Sequence, residues 1–229
     1  MKTIGLIGGM SWKSTVPYYS IINEVIKEKL GGFHSGKIIL YSVDFYEIKK
    51  CLEEGQWDKS TEILLNAAKN LERCGADFIV ICTNTMHKAA DKIQKNISIP
   101  ILHIADVTAD KLKLQNINRV ALLGTQYTME QEFYKNKLFE RGIEAVIPCK
   151  RDREIINSII YNELCLGVTS LESKNKLLRI ISEMRREMIQ GVILGCTEIG
   201  LLINQNDIDI PLFDTTKIHA ETAALYAIK

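Results

Sequence analysis

The 229-residue chain is 46% hydrophobic and 25% charged, and 29 basic against 28 acidic residues leave a net charge of +1. That is globular composition, enough for one large or two small domains, and the charge balance carries no footprint for nucleic acid or an anionic membrane. No stretch reaches the ~20 apolar residues of a spanning helix, and "MKTIGLIGGM" enters a strand of about five apolar residues, too short for a signal segment, so a soluble, cytoplasmic protein is expected.

In chain order, "KTIGLIG" reads as a strand, followed by a helical stretch from about Thr15 to Leu30. "KIILYSVD" precedes a second helix, and "WDKSTEILLNAAKNLERCG" is a helix whose last turn ends at Gly75. "DFIVICTN", "IPILHIAD", "RVALLGT", "GVILGCT" and "IPLFDTT" are short unbroken apolar runs bounded by turn residues. Such runs between amphipathic helices point to parallel sheet covered on both faces. Helix starts are expected at Thr128, paired with Gln131 as a capping box in "TMEQ", and at Asp106 and Asp214 as N-caps.

The order repeats. "TIGLIGGMS", helices, "FIVICTNT" and "IPILHIAD" correspond to "RVALLGTQYT", helices, "GVILGCTEI" and "IPLFDTT". Gly8 to Thr83 spans 75 residues and Gly124 to Cys196 spans 72; Thr83 to Pro100 is 17 and Cys196 to Pro211 is 15. The fold class expected is therefore α/β, with two similar Rossmann-like lobes, each a parallel sheet flanked by helices. Residues 1–113 with 210–229 form the first lobe and 114–209 the second, the last helix packing back on the first. Ligands of open α/β sheets bind beyond the carboxyl ends of the strands, where "GGMS", "CTNT", "GTQYT" and "GCTEI" all fall. Two such lobes facing each other would form a cleft with a matched reactive group on each wall.

A proton-transferring group on each wall suits removal of a proton from one face of a carbon and return from the other, which is cofactor-free racemisation. Cysteine thiolate is a competent base once its pKa is lowered, and a helix starting after Cys196 would lower it. At the first strand end the residues leave Cys82 and Thr83 both open. The six cysteines contain no CxxC pair and the four histidines no metal spacing, so no metal is expected, and Cys51, Cys74 and Cys165 read as small buried hydrophobes.

"GLIGGMSW", "TNTMH" and "GCTEI", in this order and at this spacing, resemble the aspartate/glutamate racemase family over essentially the whole chain. The resemblance is closest to the L-aspartate/glutamate-specific racemases. It implies racemisation of acidic amino acids without pyridoxal phosphate or another cofactor, and a homodimer. The family's first motif is a catalytic Cys directly before Asn-Thr. Aligning on Asn84-Thr85 puts Thr83 in that slot and leaves Cys82 one residue back, while Cys196 matches the second catalytic cysteine. A threonine hydroxyl is a poor base but can donate a proton. The cycle implied has Cys196 as base and Thr83 as opposite-face donor, working mainly from the L side.

Met10, Ser11 and Trp12 follow the Gly8-Gly9 turn, whose amides could hold a substrate carboxylate. Asn84, Thr85 and Thr197 are expected to contact substrate, with helix capping as the alternative. Glu198 would orient Cys196 or meet the substrate ammonium. Thr125 and Thr128 are either substrate contacts or caps, and His87 either tunes the first-lobe acid or packs. Lys150, Arg151 and Arg153 read as a solvated face, and no residue stands out to read a distal carboxylate. Two other readings stay open: a diacid decarboxylase or maleate-type isomerase, and a ligand-binding member without turnover.

Overall fold

The computed structural model describes residues 1–229, which divide into two compact units: Met1–Ile104 with His219–Lys229, and Ala105–Ile218. These limits differ from the expected 113/114 and 209/210. Arg141 ties the helix holding Asp106 and Asp110 to the second unit, and the strand Leu212–Asp214 pairs into the second sheet.

In the first unit, β1 (Ile4–Gly8) is followed by α1 (Trp12–Leu30), β2 (Ile38–Ser42), α2 (Phe45–Glu53), α3 (Trp57–Arg73), β3 (Phe78–Ile81) and the short α4 (Ala90–Gln94). Its sheet is parallel, in the order β2-β1-β3. Residues of alternate parity share a face of a strand. Ile4 and Leu6 of β1 join Phe78, Val80 and Cys82 in one cluster with Tyr18, Ile22 and Ile26 of α1 and a row of alanines at 220, 223, 224 and 227. The fourfold spacing of 18, 22 and 26 is one helical stripe, and the alanines bring the last helix close. Fully burying each isoleucine or leucine contributes roughly 1.5–3 kcal/mol relative to exposure.

"IPILHIAD" is not a strand. It makes a single bridge, Ile79 to Ile101, before the chain turns helical at Ile104. Pro100 has no amide to donate, and the hydrogen bonds from Ile79 N to Pro100 O and from Leu102 N to Ile79 O complete that bridge.

The second unit carries α5 (Ile104–Leu114), β4 (Arg119–Gly124), α6 (Gln126–Glu130), α7 (Glu132–Phe139), β5 (Glu144–Val146), α8 (Lys150–Asn162), α9 (Leu171–Met184), β6 (Gly191–Gly195), β7 (Leu212–Asp214) and the start of α10 (Thr215–Ile228). Its sheet is also parallel, in the order β5-β4-β6-β7. Ala121 and Leu123, with Val192, Leu194 and Cys196, pack against Ile156, Ile159 and Ile160 of α8 and Leu177, Ile180 and Ile181 of α9. Gly124 and Gly195 end their strands side by side: a Cβ on Gly124 would lie 2.7 Å from the Gly195 oxygen.

The caps correct two expectations. Thr125, not Thr128, caps α6, its side chain accepting from Thr128 N, and Gln131 is the N-cap position of α7 rather than half of a capping box. Asp106 lies inside the first turn of α5 and pairs with Arg141. Asp214 does cap α10, accepting from Thr216 N and Lys217 N. No helix is long and apolar enough to cross a membrane.

Candidate active site

The first unit's groups gather beyond the ends of β1 and β3. Gly9 has φ +90°, and a Cβ there would run into the Val43 carbonyl, so the turn requires glycine. Its amide donates to Thr15 Oγ1 at 2.9 Å, so this amide is committed within the protein rather than offered to a carboxylate. Ser14 Oγ and Thr15 Oγ1 in turn donate to the Ser11 carbonyl at 2.8 and 3.2 Å. Met10 and Ser11 are buried, while Trp12 is 64% exposed at the first position of α1.

At the end of β3, Cys82 continues the core face of Phe78 and Val80. It is fully buried, its Sγ lies 3.8 Å from the Val80 carbonyl, and burial pushes its thiol well above the usual range. Thr83, one residue on, is partly exposed. Each sheet's own register gives it a counterpart in the second unit. Ile7 pairs with Ile81, which puts Cys82 level with Gly8; Gly124 pairs with Gly195. Thr83 comes two residues after β3 and Cys196 one after β6, yet each stands one residue beyond the position level with the glycine that ends its central strand.

Asn84 and Thr85 are buried at the start of a 3-10 turn, Thr85–Ala89, and the Asn84 side chain makes no capping hydrogen bond. His87, inside that turn, is buried with Nδ1 at 2.7 Å from the Thr83 carbonyl and Nε2 at 3.1 Å from the Ile104 amide. Burial, helped by neighbouring His103 and His219, holds its pKa well below the usual value.

In the second unit Cys196 directly follows β6 and is 7% exposed. The segment after it is a three-residue 3-10 turn, Ile199–Leu201, not an α-helix, so the expected helix-end field is absent. The thiol is accordingly not lowered. Burial first, then the negative charge of Glu198, raise it well above its ordinary value. Cys196 Sγ donates to Glu198 Oε2 at 3.1 Å, and Thr197 Oγ1 donates to the same oxygen at 2.5 Å. Glu198 is itself buried. The carboxylate is therefore placed to receive the thiol proton.

Two residues outside the expected set join this group. Cys165, expected to be a small buried hydrophobe, is only partly buried, with Sγ in long contact (3.9 Å) with Glu198 Oε1. Tyr161, from α8, has its phenol pushed up first by burial and then by the charges of Cys196, Cys165, Tyr127 and Glu198. Neither stood out in sequence, because the end of α8 and the 3-10 turn after it, Leu164–Leu166, bring them in from more than thirty residues away. Among the second-lobe candidates, Thr125 and Thr128 bond each other, Oγ1 to Oγ1 at 3.2 Å. Arg153 is engaged by Glu130 and the Pro148 carbonyl, while Lys150 and Arg151 are exposed. No three His, Cys, Asp or Glu side chains are grouped as metal ligands are.

The chain is 24% identical over 224 residues, 96% of its own length and 95% of the relative's, to the broad specificity amino-acid racemase RacX of Bacillus subtilis (strain 168). A crystal structure of a candidate Asp/Glu racemase from Yersinia pestis superposes with a TM-score of 0.93 at 53% identity, covering 100% of both chains. An aspartate racemase homologue from Pyrococcus horikoshii OT3 gives 0.87 at 38% identity, again over 100% of both. The profile of the family described as Asp/Glu/Hydantoin racemase matches residues 7–223, and the chain belongs to that family.

Proposed function

We propose that the protein interconverts the enantiomers of an acidic amino acid, aspartate or glutamate, without pyridoxal phosphate, working mainly from the L side. Cys196 is the base. Its thiol proton passes to Glu198 as the sulfur takes the α-proton, leaving a planar carbanion. Thr83 then gives its hydroxyl proton to the opposite face; water reprotonates the threonine, and the hydroxide left takes the proton from Glu198, which closes the cycle. The observation that carries this reading is the thiol–carboxylate pair, Cys196 Sγ donating to Glu198 Oε2 at 3.1 Å, one residue past the core strand. The shared register position of Thr83 and Cys196 and the core burial of Cys82 support Thr83 as the second group.

The two groups differ in basicity. An alcohol gives up a proton readily to a carbanion but is a weak base, so turnover at saturating D-substrate is slow; the enantiomers have equal free energy, so kcat/KM is the same from either side and KM for the D-enantiomer is lower in proportion. Before it receives the thiol proton, buried Glu198 is also a counter-charge for the α-ammonium of the arriving substrate. We take the working form to be a cytoplasmic homodimer with a small-molecule amino-acid substrate, as the family resemblance implies. Initial rates measured separately from L- and D-aspartate, with product enantiomers resolved, test the assignment. With each substrate saturating, a clear excess from the L side is expected; equal saturating turnover would overturn the Cys196–Thr83 couple.

A further inference from the structure

We infer that His87 is a positioning residue for Thr83, holding its backbone in place by one specific hydrogen bond and taking no part in proton transfer itself. The inference rests on the role proposed above for Thr83.

The Ile104 amide can only donate, so His87 Nε2, 3.1 Å away, must be the bare ring nitrogen. The proton then sits on Nδ1 and points at the Thr83 carbonyl 2.7 Å away. Both ring nitrogens are thereby committed, one tautomer satisfies both, and the ring has no free site from which to act as acid or base. Thr83 is held from its other side as well, its amide donating to the Ile81 carbonyl at 2.8 Å. The residue proposed to reprotonate the carbanion is therefore clamped at its amide by the strand it leaves and at its carbonyl by His87.

The clamp is backed by a packed aromatic group. His103 lies edge-on to His87 with ring centroids 4.6 Å apart, and His219 lies at 5.6 Å. His219 is fixed in turn, Nε2 donating to the Leu102 carbonyl at 2.7 Å and Nδ1 accepting from Tyr18 Oη at 2.9 Å. All these residues belong to the first unit. A side chain this constrained transmits a fixed position to the carbonyl it holds.

Three variants separate the two bonds. In His87→Asn the side-chain amide nitrogen stands near the Nδ1 position and keeps the bond to Thr83. In His87→Gln the longer side chain reaches the Nε2 position and keeps the tie to Ile104, and His87→Ala loses both. Each is incubated with L-aspartate and with L-glutamate in deuterated water. Two rates are read: α-deuterium appearing in unreacted L-substrate, which needs only Cys196, and formation of the D-enantiomer, which also needs Thr83. Their ratio is a property of active molecules and does not depend on the fraction folded. His87→Gln and His87→Ala should lose inversion relative to exchange by roughly 10- to 100-fold, the scale of a small misplacement of a reacting group. His87→Asn should keep a ratio near wild type. Inversion and exchange falling together in His87→Gln and His87→Ala, or a ratio lost in His87→Asn but kept in His87→Gln, would overturn the positioning role. Wild-type protein that exchanges no α-proton from either substrate would refute the racemase reading itself.

Discussion

Acidification should destabilise the first unit well before its carboxylates titrate. His219 is fully buried and neutral, and burial lowers its pKa from the ordinary 6.5 to about 4. The folded state refuses a proton that the unfolded chain accepts. Stability is therefore full above about pH 6.5 and is lost as pH falls from 6.5 toward 4. A gap of about 2.5 units at about 1.36 kcal/mol each makes the loss about 3 kcal/mol from this residue. His87, shifted in the same direction, adds to it. Between pH 6 and 4.5 the two together approach a slope of about 2.7 kcal/mol per pH unit, large against a total stability of roughly 5–15 kcal/mol. Asp214, whose carboxyl burial raises, belongs to the second unit and acts on that unit in the opposite sense near the acid end. Asp152 and Glu130 are held low by Arg179 and Arg153, so their contributions are lost at lower pH. Both tryptophans, Trp12 and Trp57, lie in the first unit, so urea unfolding followed by their fluorescence at several pH values between 7 and 4.5 reports on it. His219→Gln should reduce the slope by about one proton's worth, about 1.36 kcal/mol per pH unit. Wild-type stability that stays flat from pH 7 to 4.5, or a slope unchanged in His219→Gln, would refute the reasoning.

Other outcomes follow from the same geometry. Glu198→Gln removes the negative charge beside Cys196, so the pH midpoint for alkylation of that thiol by iodoacetamide should move down, while turnover falls by about 10²-fold for want of a proton acceptor; a midpoint that stays or rises contradicts the pairing. Cys82→Ala should cost about 1 kcal/mol in urea unfolding through lost burial and leave turnover per folded molecule unchanged. Thr83→Cys should instead raise turnover at saturating D-substrate by about tenfold or more, since a thiol is a competent base where an alcohol is not; a Cys82→Ala variant that loses turnover while Thr83→Cys changes nothing would exchange the two roles. Gly9→Ala forces a side chain into a left-handed turn against the Val43 carbonyl, and the urea midpoint should drop by the equivalent of about 1–3 kcal/mol or more.

The fold was legible where apolar runs are unbroken. β1, β3, β4, β6 and β7 each fall in a run bounded by turn residues, and Asp214 caps its helix as its position suggests. Legibility failed where two structures compete for one stretch. "IPILHIAD" has strand composition, but the helix from Ile104 takes its second half and leaves one bridge. β5 is three residues of an edge strand with a charged first residue, too short for a pattern. "TMEQ" has the letters of a capping box, yet the helix is capped three residues earlier by Thr125, and the Gln131 amide is already bonded to the Tyr127 carbonyl. At the site, Thr83 was reached through its Asn-Thr neighbours, and the alternation that buries Cys82 is a strand property readable in advance. The raised thiol of Cys196 was not, because it depends on a short 3-10 turn replacing a helix and on Glu198 folding back over the sulfur. Cys165 and Tyr161 reach that carboxylate group only through the packing of α8 and the turn that follows it.

The central claim is that Cys196 removes the α-proton, and solvent exchange tests it most directly. L-aspartate and L-glutamate are incubated in deuterated water without added pyridoxal phosphate, and α-deuterium is measured in each enantiomer by chiral separation and mass spectrometry. Wild type should yield α-deuterated D-product and deuterium in the remaining L-substrate from at least one of the two. Cys196→Ala should lower both by at least about 10²-fold, the scale of losing a catalytic base. Exchange at the wild-type rate in Cys196→Ala, or D-product that keeps its original α-proton, would contradict the account.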